Sequence, residues 1–292
     1  MSSRVKPILR IITKAITGVL LFLILSAAAY YFFWLSPRYV VPILTYHYFG
    51  YENAQGIDKR LFLLYVTPEH FQRQMRYLKD KHYNVISLDE LIEGMKKGKK
   101  FSHNTVVITI DDGDRSIYTY MYPVLKKNGF SATVFLITNR IGTNPDYLTW
   151  DQVNEMFKHG ISFGGHTKSH VYLPLIKEKD ILWDEIAGSK EVIEKHTGAP
   201  VDYFSYPSGG FTPEVEMLTK KAGYKGACTT NRGYDPLNKA DFYQLGRVSV
   251  RTSDPYFSFS NWYKPMRFRA KLSGYYNLFR KKKEKDQTVR DY

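Results

Sequence analysis

From Tyr39 to Val250 the sequence alternates segments that read as strands with segments that read as helices. Such alternation confines the fold to a mostly parallel sheet covered by helices, either closed into a barrel or left open. Strands are expected at Tyr39–Thr45, Tyr83–Leu88, Val106–Ile110, Ser131–Thr138, Ile161–Gly164, Phe204–Tyr206, Gly226–Thr230 and Phe242–Val250. A first helix is expected from Thr67-Pro68-Glu69, which supplies an N-cap, a proline at the first helical position and an acid in the first turn. Its apolar stripe is Phe71, Met75 and Leu78. Further helices are expected from a cap at Asp89 to about Gly94, over Ser116–Asn128 ahead of Gly129, over Asp151–His159 ahead of Gly160, and over Lys179–His196 ahead of Gly198. Thr212-Pro213-Glu214 repeats the first start signal. The stretch after Tyr48, to about Tyr65, reads as irregular, and no repeat of fixed period is present.

Two polar strings fall just after strands, where barrels and open α/β sheets build their sites. Thr109-Ile110-Asp111-Asp112-Gly113 ends the apolar run Val106-Val107-Ile108. Asp and Gly favour plain turns, but adjacent carboxylates repel, and a cation nearby relieves that cost. His166-Thr167-Lys168-Ser169-His170 places two imidazoles four residues apart, as surface residues or as metal ligands. Gly164-Gly165 ahead of them points to a loop with a close backbone approach. Thr167 and Ser169 are candidates for hydrogen bonds that hold a ligand's orientation. One carboxylate plus two imidazoles is the ligand set of a catalytic zinc with an open position, and the second carboxylate is then free to act as a base. If both strings reach one cleft, the chain is a metal-dependent hydrolase.

Three further residues have both a plain and a functional reading. Tyr206-Pro207-Ser208-Gly209-Gly210 is a turn, or it presents the Tyr206 N–H to a developing oxyanion. His47, between Tyr46 and Tyr48, reads on its own as a half-buried structural histidine. Arg247 is an exposed arginine or, inside a cleft, a partner that sets the basicity of Asp111. The single cysteine, Cys228, cannot form an internal disulfide, and its apolar, strand-like setting favours a packed thiol over a nucleophile.

The net charge of +14 sits in the two ends of the 292-residue chain. Arg4, Lys6, Arg10 and Lys14 face no acid in residues 1–14, and residues 262–292 carry ten lysines and arginines against Glu284, Asp286 and Asp291. The body between them is close to neutral and has no basic stripe, which argues against a nucleic-acid partner. The terminal run around Arg280-Lys281-Lys282-Lys283, beside Tyr275, Tyr276, Leu278 and Phe279, is a solvated charge run or a contact for anionic lipids or polyanions.

No charged residue occurs from Ala15 to Pro37, a run long and apolar enough to span a bilayer. The basic residues before it favour a cytoplasmic N-terminus, which places the rest outside as a single-pass membrane protein. Ser26-Ala27-Ala28-Ala29 would suit a cleavage site, but the apolar run continues through Tyr30-Tyr31-Phe32-Phe33-Trp34-Leu35, which suits an interfacial belt and an uncleaved anchor. The expected organisation is a basic segment 1–14, a transmembrane anchor 15–37, a catalytic domain 38–255 and a basic aromatic tail 256–292.

From about Pro42 to Val250 the chain resembles the polysaccharide deacetylases of carbohydrate esterase family 4. Thr109-Ile110-Asp111-Asp112-Gly113 is similar to that family's T-F-D-D-G motif, with Ile110 for Phe, and His166-Thr167-Lys168-Ser169-His170 to its H-[ST]-x-x-H motif. Ser131-Ala132-Thr133-Val134-Phe135, Leu148-Thr149-Trp150 and Phe204-Ser205-Tyr206-Pro207 follow in the family's order. Two features depart from it. The R-x-P-Y motif has no arginine here, and no histidine follows His196 to supply the late L-x-H. A circularly rearranged subgroup acting on poly-N-acetylglucosamine carries its acid histidine in an early Y-H motif, which Ile43-Leu44-Thr45-Tyr46-His47 resembles.

The resemblance implies an α/β fold, a distorted (β/α)7-type barrel, here preceded by the transmembrane helix. It implies a divalent ion, expected to be Zn2+, on Asp112, His166 and His170, with Asp111 as base. It also implies His47 as the acid and Arg247 in place of the missing arginine. The implied activity is removal of N-acetyl groups from an N-acetylglucosamine polymer of the cell surface or wall, poly-N-acetylglucosamine being favoured. An O-acetyl esterase using the same site and a non-catalytic glycan-binding protein are the alternatives.

Overall fold

The computed structural model describes residues 5–35, 40–51, 64–230, 241–250, 268–269 and 271–273. The chain divides into two units, Met1–Val40 and Val41–Tyr292. The expected basic tail lies outside the described residues except at 268–269 and 271–273.

The first unit is helix α1 (Val5–Ala29), prolonged by a wider turn over Tyr30–Leu35. Arg10–Phe33 is long and apolar enough to cross a membrane. Ile11, Phe22 and Ile24 are each more than 60% exposed, so among its described side chains this helix buries no apolar face within its own unit.

The second unit is a nearly closed barrel. Its strands are β1 (Ile43–Tyr46), β4 (Asn84–Ile86), β5 (Thr105–Ile110), β6 (Ala132–Leu136), β7 (Ile161–Gly165), β8 (Tyr203–Ser205), β9 (Gly226–Thr229), β10 (Leu245–Gly246) and β11 (Val248–Ser249). A short ribbon of β2 (Tyr48–Phe49) and β3 (Tyr65–Val66) stands beside them. The main sheet runs β10-β9-β8-β7-β6-β5-β1-β11, with β4 on β5, and every pairing in it is parallel. The stretch from Phe242 to Val250, expected as one strand, is split. Its first half pairs with β9 and its second with β1, and Arg247 lies between the halves. A seam strand must satisfy both neighbours, and here each half satisfies one.

Strand β5 explains the placement of the carboxylates. All six of its residues are buried, because helices cover one face and the barrel interior the other. Val106, Ile108 and Ile110 join the core that includes Phe71, Met75 and Leu78 of helix α2 (Pro68–Asp80). The alternate residues therefore point inward. Thr109, one of these, donates through Oγ1 to the Leu44 carbonyl at 2.8 Å, which satisfies its hydroxyl inside the barrel. Asp111 continues that inward series.

The remaining helices are α3 (Leu88–Lys96), α4 (Tyr122–Asn128), α5 (Trp150–Lys158), α6 (Lys179–Trp183), α7 (Ser189–Thr197) and α8 (Pro213–Lys221). The caps read from Thr67 and Thr212 are present: each side chain accepts a backbone N–H of the first turn, at 3.3 and 3.2 Å. The cap of α3 is Ser87, whose hydroxyl accepts from the Glu90 N–H at 3.0 Å. Asp89 instead lies in the first turn, and α3 runs past Gly94 to Lys96. The helix expected over Lys179–His196 is interrupted by a wider turn at Asp184–Gly188, joining α6 to α7. Gly164 and Gly165 lie inside β7, not in a loop. The close approach there is real: a Cβ on Gly164 would come within 2.6 Å of the Phe135 ring and the Tyr203 carbonyl.

Candidate active site

The two polar strings meet at the C-terminal ends of β5 and β7. Asp111 extends the β5 pairing by donating its N–H to the Tyr46 carbonyl at 3.0 Å. Asp112 then turns left-handed at φ 77°, followed by Gly113 at φ 83°. A β-carbon on Gly113 would press on Leu136 and Ile141 at 2.9 Å, so glycine is required there by both conformation and space. The neighbouring carboxylates meet different partners.

Asp112 faces the imidazoles. Its Oδ1 is 3.5 Å from His166 Nε2 and 3.6 Å from His170 Nε2, and one ligand atom from each residue lies within 4.8 Å of the others. Oδ1 is buried and accepts no hydrogen bond among the described residues. A buried carboxylate oxygen left without a donor is costly unless a cation completes it. His166 Nδ1 contacts the Ser205 carbonyl at 2.7 Å; a carbonyl only accepts, so Nδ1 carries a proton, and in the neutral ring Nε2 is the atom that offers a lone pair. The donor set thus fits a divalent ion of the zinc class. Burial, with His166 beside it, holds His170 at about 4, so its ring is neutral near pH 7. Burial disfavours the His166 imidazolium, but Asp111 and Asp112 more than offset that and raise its pKa.

The loop carrying the histidines is pinned from below. Thr167 and His170 both adopt left-handed backbone, at φ 61° and 64°. Thr167 Oγ1 accepts the His170 N–H at 2.9 Å, and Ser169 Oγ donates to Glu185 at 2.5 Å. Neither hydroxyl is hydrogen-bonded to an imidazole, contrary to the orienting role expected of them, because both are engaged in shaping the loop. Glu185, buried on the wide turn between α6 and α7, also accepts the N–H groups of Lys168 and Ser169 at 2.8 and 3.0 Å.

Asp111 faces the barrel seam. Arg247 grips it with two parallel hydrogen bonds, 2.7 Å to Oδ1 and 2.6 Å to Oδ2. The same guanidinium donates to Ser205 Oγ at 2.9 Å and is 3% exposed. Burial alone would raise the Asp111 pKa, yet the Arg247 charge, with His166 behind it, holds it below the usual carboxylate range. His47 Nε2 stands 3.9 Å from Asp111 Oδ2. Burial lowers the His47 pKa, and Asp112 and Asp111 oppose this only in part.

Tyr206 does not fit the role given to its N–H. That N–H donates to the Cys228 carbonyl at 3.0 Å, continuing the β8–β9 pairing, so it is not free to meet an oxyanion. Cys228 is buried, and burial pushes its thiol up to about 12, which makes it a packed side chain. Three contributors carried no clear sequence signal: Ser205, Glu185 and Tyr48, whose hydroxyl donates to Asp112 Oδ2 at 2.5 Å. Tyr48 lay within reach of the sequence only as the neighbour of His47.

A family model for polysaccharide deacetylase matches residues 98–227. The Bacillus subtilis protein YxkH, whose name places it among polysaccharide deacetylases, is 33% identical over 210 residues, spanning 72% of this chain and 71% of its own length. This chain belongs to the polysaccharide deacetylase family. The deacetylase is also similar to the poly-beta-1,6-N-acetyl-D-glucosamine N-deacetylase of Staphylococcus epidermidis, 31% identical over 198 residues that span 63% of this chain and 68% of the relative. Among solved structures it is similar to Streptococcus pyogenes deacetylase PplD in complex with acetate, with a TM-score of 0.67 and 27% identity over 78% of this chain and 99% of that one. The deacetylase is therefore a hydrolase, and its Asp112, His166 and His170 suit the metal dependence of the family.

Proposed function

We propose that the deacetylase removes N-acetyl groups from a β-1,6-linked N-acetylglucosamine polymer. The observation that carries this reading is the division of the carboxylate pair: Asp112 converges with His166 and His170, while Asp111 stands beside them on Arg247. A divalent ion held by Asp112, His166 and His170, zinc in this reading, would polarise the acetyl carbonyl and lower the pKa of a bound water. Asp111, kept ionised by Arg247, is placed to accept the proton of that water. His47, adjoining Asp111, is placed to deliver a proton to the leaving amine. The polymer is inferred from the named activity of the Staphylococcus epidermidis relative and from the early Tyr46-His47 pair.

We further place the catalytic unit outside the cell, held by α1 as a single-pass anchor. The support is the length and apolarity of Arg10–Phe33 and the basic residues that precede it.

The direct test is acetate release by the full-length protein from β-1,6-N-acetylglucosamine oligomers, compared with chitin oligomers, peptidoglycan and acetylated xylan. Release from the first, abolished by EDTA and restored by Zn2+, is the expected result. Release from xylan alone, with no free amine formed, would replace this reading with an esterase. A His47→Ala protein is expected to keep its metal content and to lose turnover by on the order of a hundredfold or more. Full activity in that variant would remove His47 from the mechanism.

A further inference from the structure

Two consecutive residues of one segment meet two consecutive carboxylates of another. His47 approaches Asp111 at 3.9 Å, and Tyr48 reaches Asp112 at 2.5 Å. The parallel β1–β5 register, which sets Tyr46 opposite Ile110, continues to bring His47 beside Asp111 and Tyr48 beside Asp112. Tyr48 is held where it is by the β2–β3 ribbon. It pairs with Tyr65 in register, the two rings stack at 5.2 Å and 26°, and Tyr48 is 7% exposed. The two oxygens of Asp112 are therefore unequal. Oδ2 is occupied by the phenol, and Oδ1 is buried, without a donor among the described residues, and turned to both imidazoles.

We propose that Tyr48 is a positioning residue for the metal-binding carboxylate: by donating to Oδ2 it leaves Oδ1 as the one oxygen presented to the ion. This rests on the reading that Asp112, His166 and His170 hold a divalent cation. A carboxylate with both oxygens free can swing or offer both to a metal, whereas one tied at Oδ2 has a single orientation. Hydrogen-bond partners behind metal ligands commonly contribute a factor of about 10–100 to affinity.

The test uses the full-length protein in detergent, stripped of metal, with Zn2+ affinity measured by competition against a chromophoric chelator. Visible absorption of the Co2+ form reports the coordination sphere. Tyr48→Phe and Tyr48→Leu are both expected to bind one Zn2+ about 10–100-fold more weakly than the wild type. Both are expected to change the Co2+ bands in the same way, while the metal-free Tyr48→Phe protein melts near the wild-type temperature. Wild-type affinity or an unchanged Co2+ spectrum in Tyr48→Phe would overturn the proposal. So would a loss confined to Tyr48→Leu, which would assign the effect to ring packing, or a metal-free Tyr48→Phe protein that is unfolded. A wild-type protein that binds no Zn2+ would instead overturn the underlying reading of the three ligands.

Discussion

A His166→Ala protein is expected to purify without bound metal and to release acetate at least about a thousandfold more slowly than the wild type. The ion is asked to supply several kcal/mol of transition-state stabilisation, and each 1.36 kcal/mol is about tenfold in rate. His166 is the ligand with the most at stake. It is 2% exposed, and its ring is fixed from behind by the Ser205 carbonyl. Its ring links the end of β7 to β8, whereas the His170 side chain is 32% exposed. Metal content by plasma emission, read alongside far-UV circular dichroism, checks the result. A folded His166→Ala protein with one equivalent of zinc would sink the ligand assignment.

Replacing Arg247 with methionine is expected to destabilise the fold by about 3–5 kcal/mol at neutral pH, because it leaves the Asp111 charge buried without its partner. The sign with pH follows from the two states of Asp111. In the wild type its pKa is depressed below the ordinary 3.8, so its stabilising contribution is complete above that value and is lost only as the pH falls through the folded pKa. Without Arg247, burial loses its largest counterweight, leaving only His166 and His47, and the folded pKa is expected to rise above the unfolded one. The variant is then most destabilised at neutral pH and recovers as acid protonates Asp111. The acidic limb of the rate profile should move to higher pH for the same reason, since a base must be ionised to act. Denaturant melts at pH 4.5 and 7, with rates across that range, check both statements. An unmoved acidic limb would mean that Asp111 is not the base, or that Arg247 does not set its pKa.

Much of the fold was legible because its signals are local. The caps at Thr67 and Thr212 are each satisfied within three residues, and Gly129 ends α4 in the left-handed conformation that glycine tolerates. The misread cap at Asp89 shows the limit of such signals. Ser87 and Asp89 are both capping residue types, and only the backbone path decides which of them precedes the first turn. The ribbon of β2 and β3 was missed for a different reason. Two-residue strands are too short to show a period of two.

The sequence by itself determined a parallel α/β arrangement, the presence of both polar strings at strand ends, and a terminal helix apolar enough to cross a membrane. These follow from spacing and composition along the chain. The tertiary structure decided which carboxylate does what. The left-handed backbone at Asp112 separates it from Asp111, and partners far along the chain then define each: Arg247, 136 residues away, for Asp111, and Tyr48, 64 residues away, for Asp112. It also withdrew the Tyr206 N–H, committed to a neighbouring strand. Local propensity carries no information about such contacts, which exist only because closing the barrel brings β1, β5 and the seam at Arg247 to one end of the sheet.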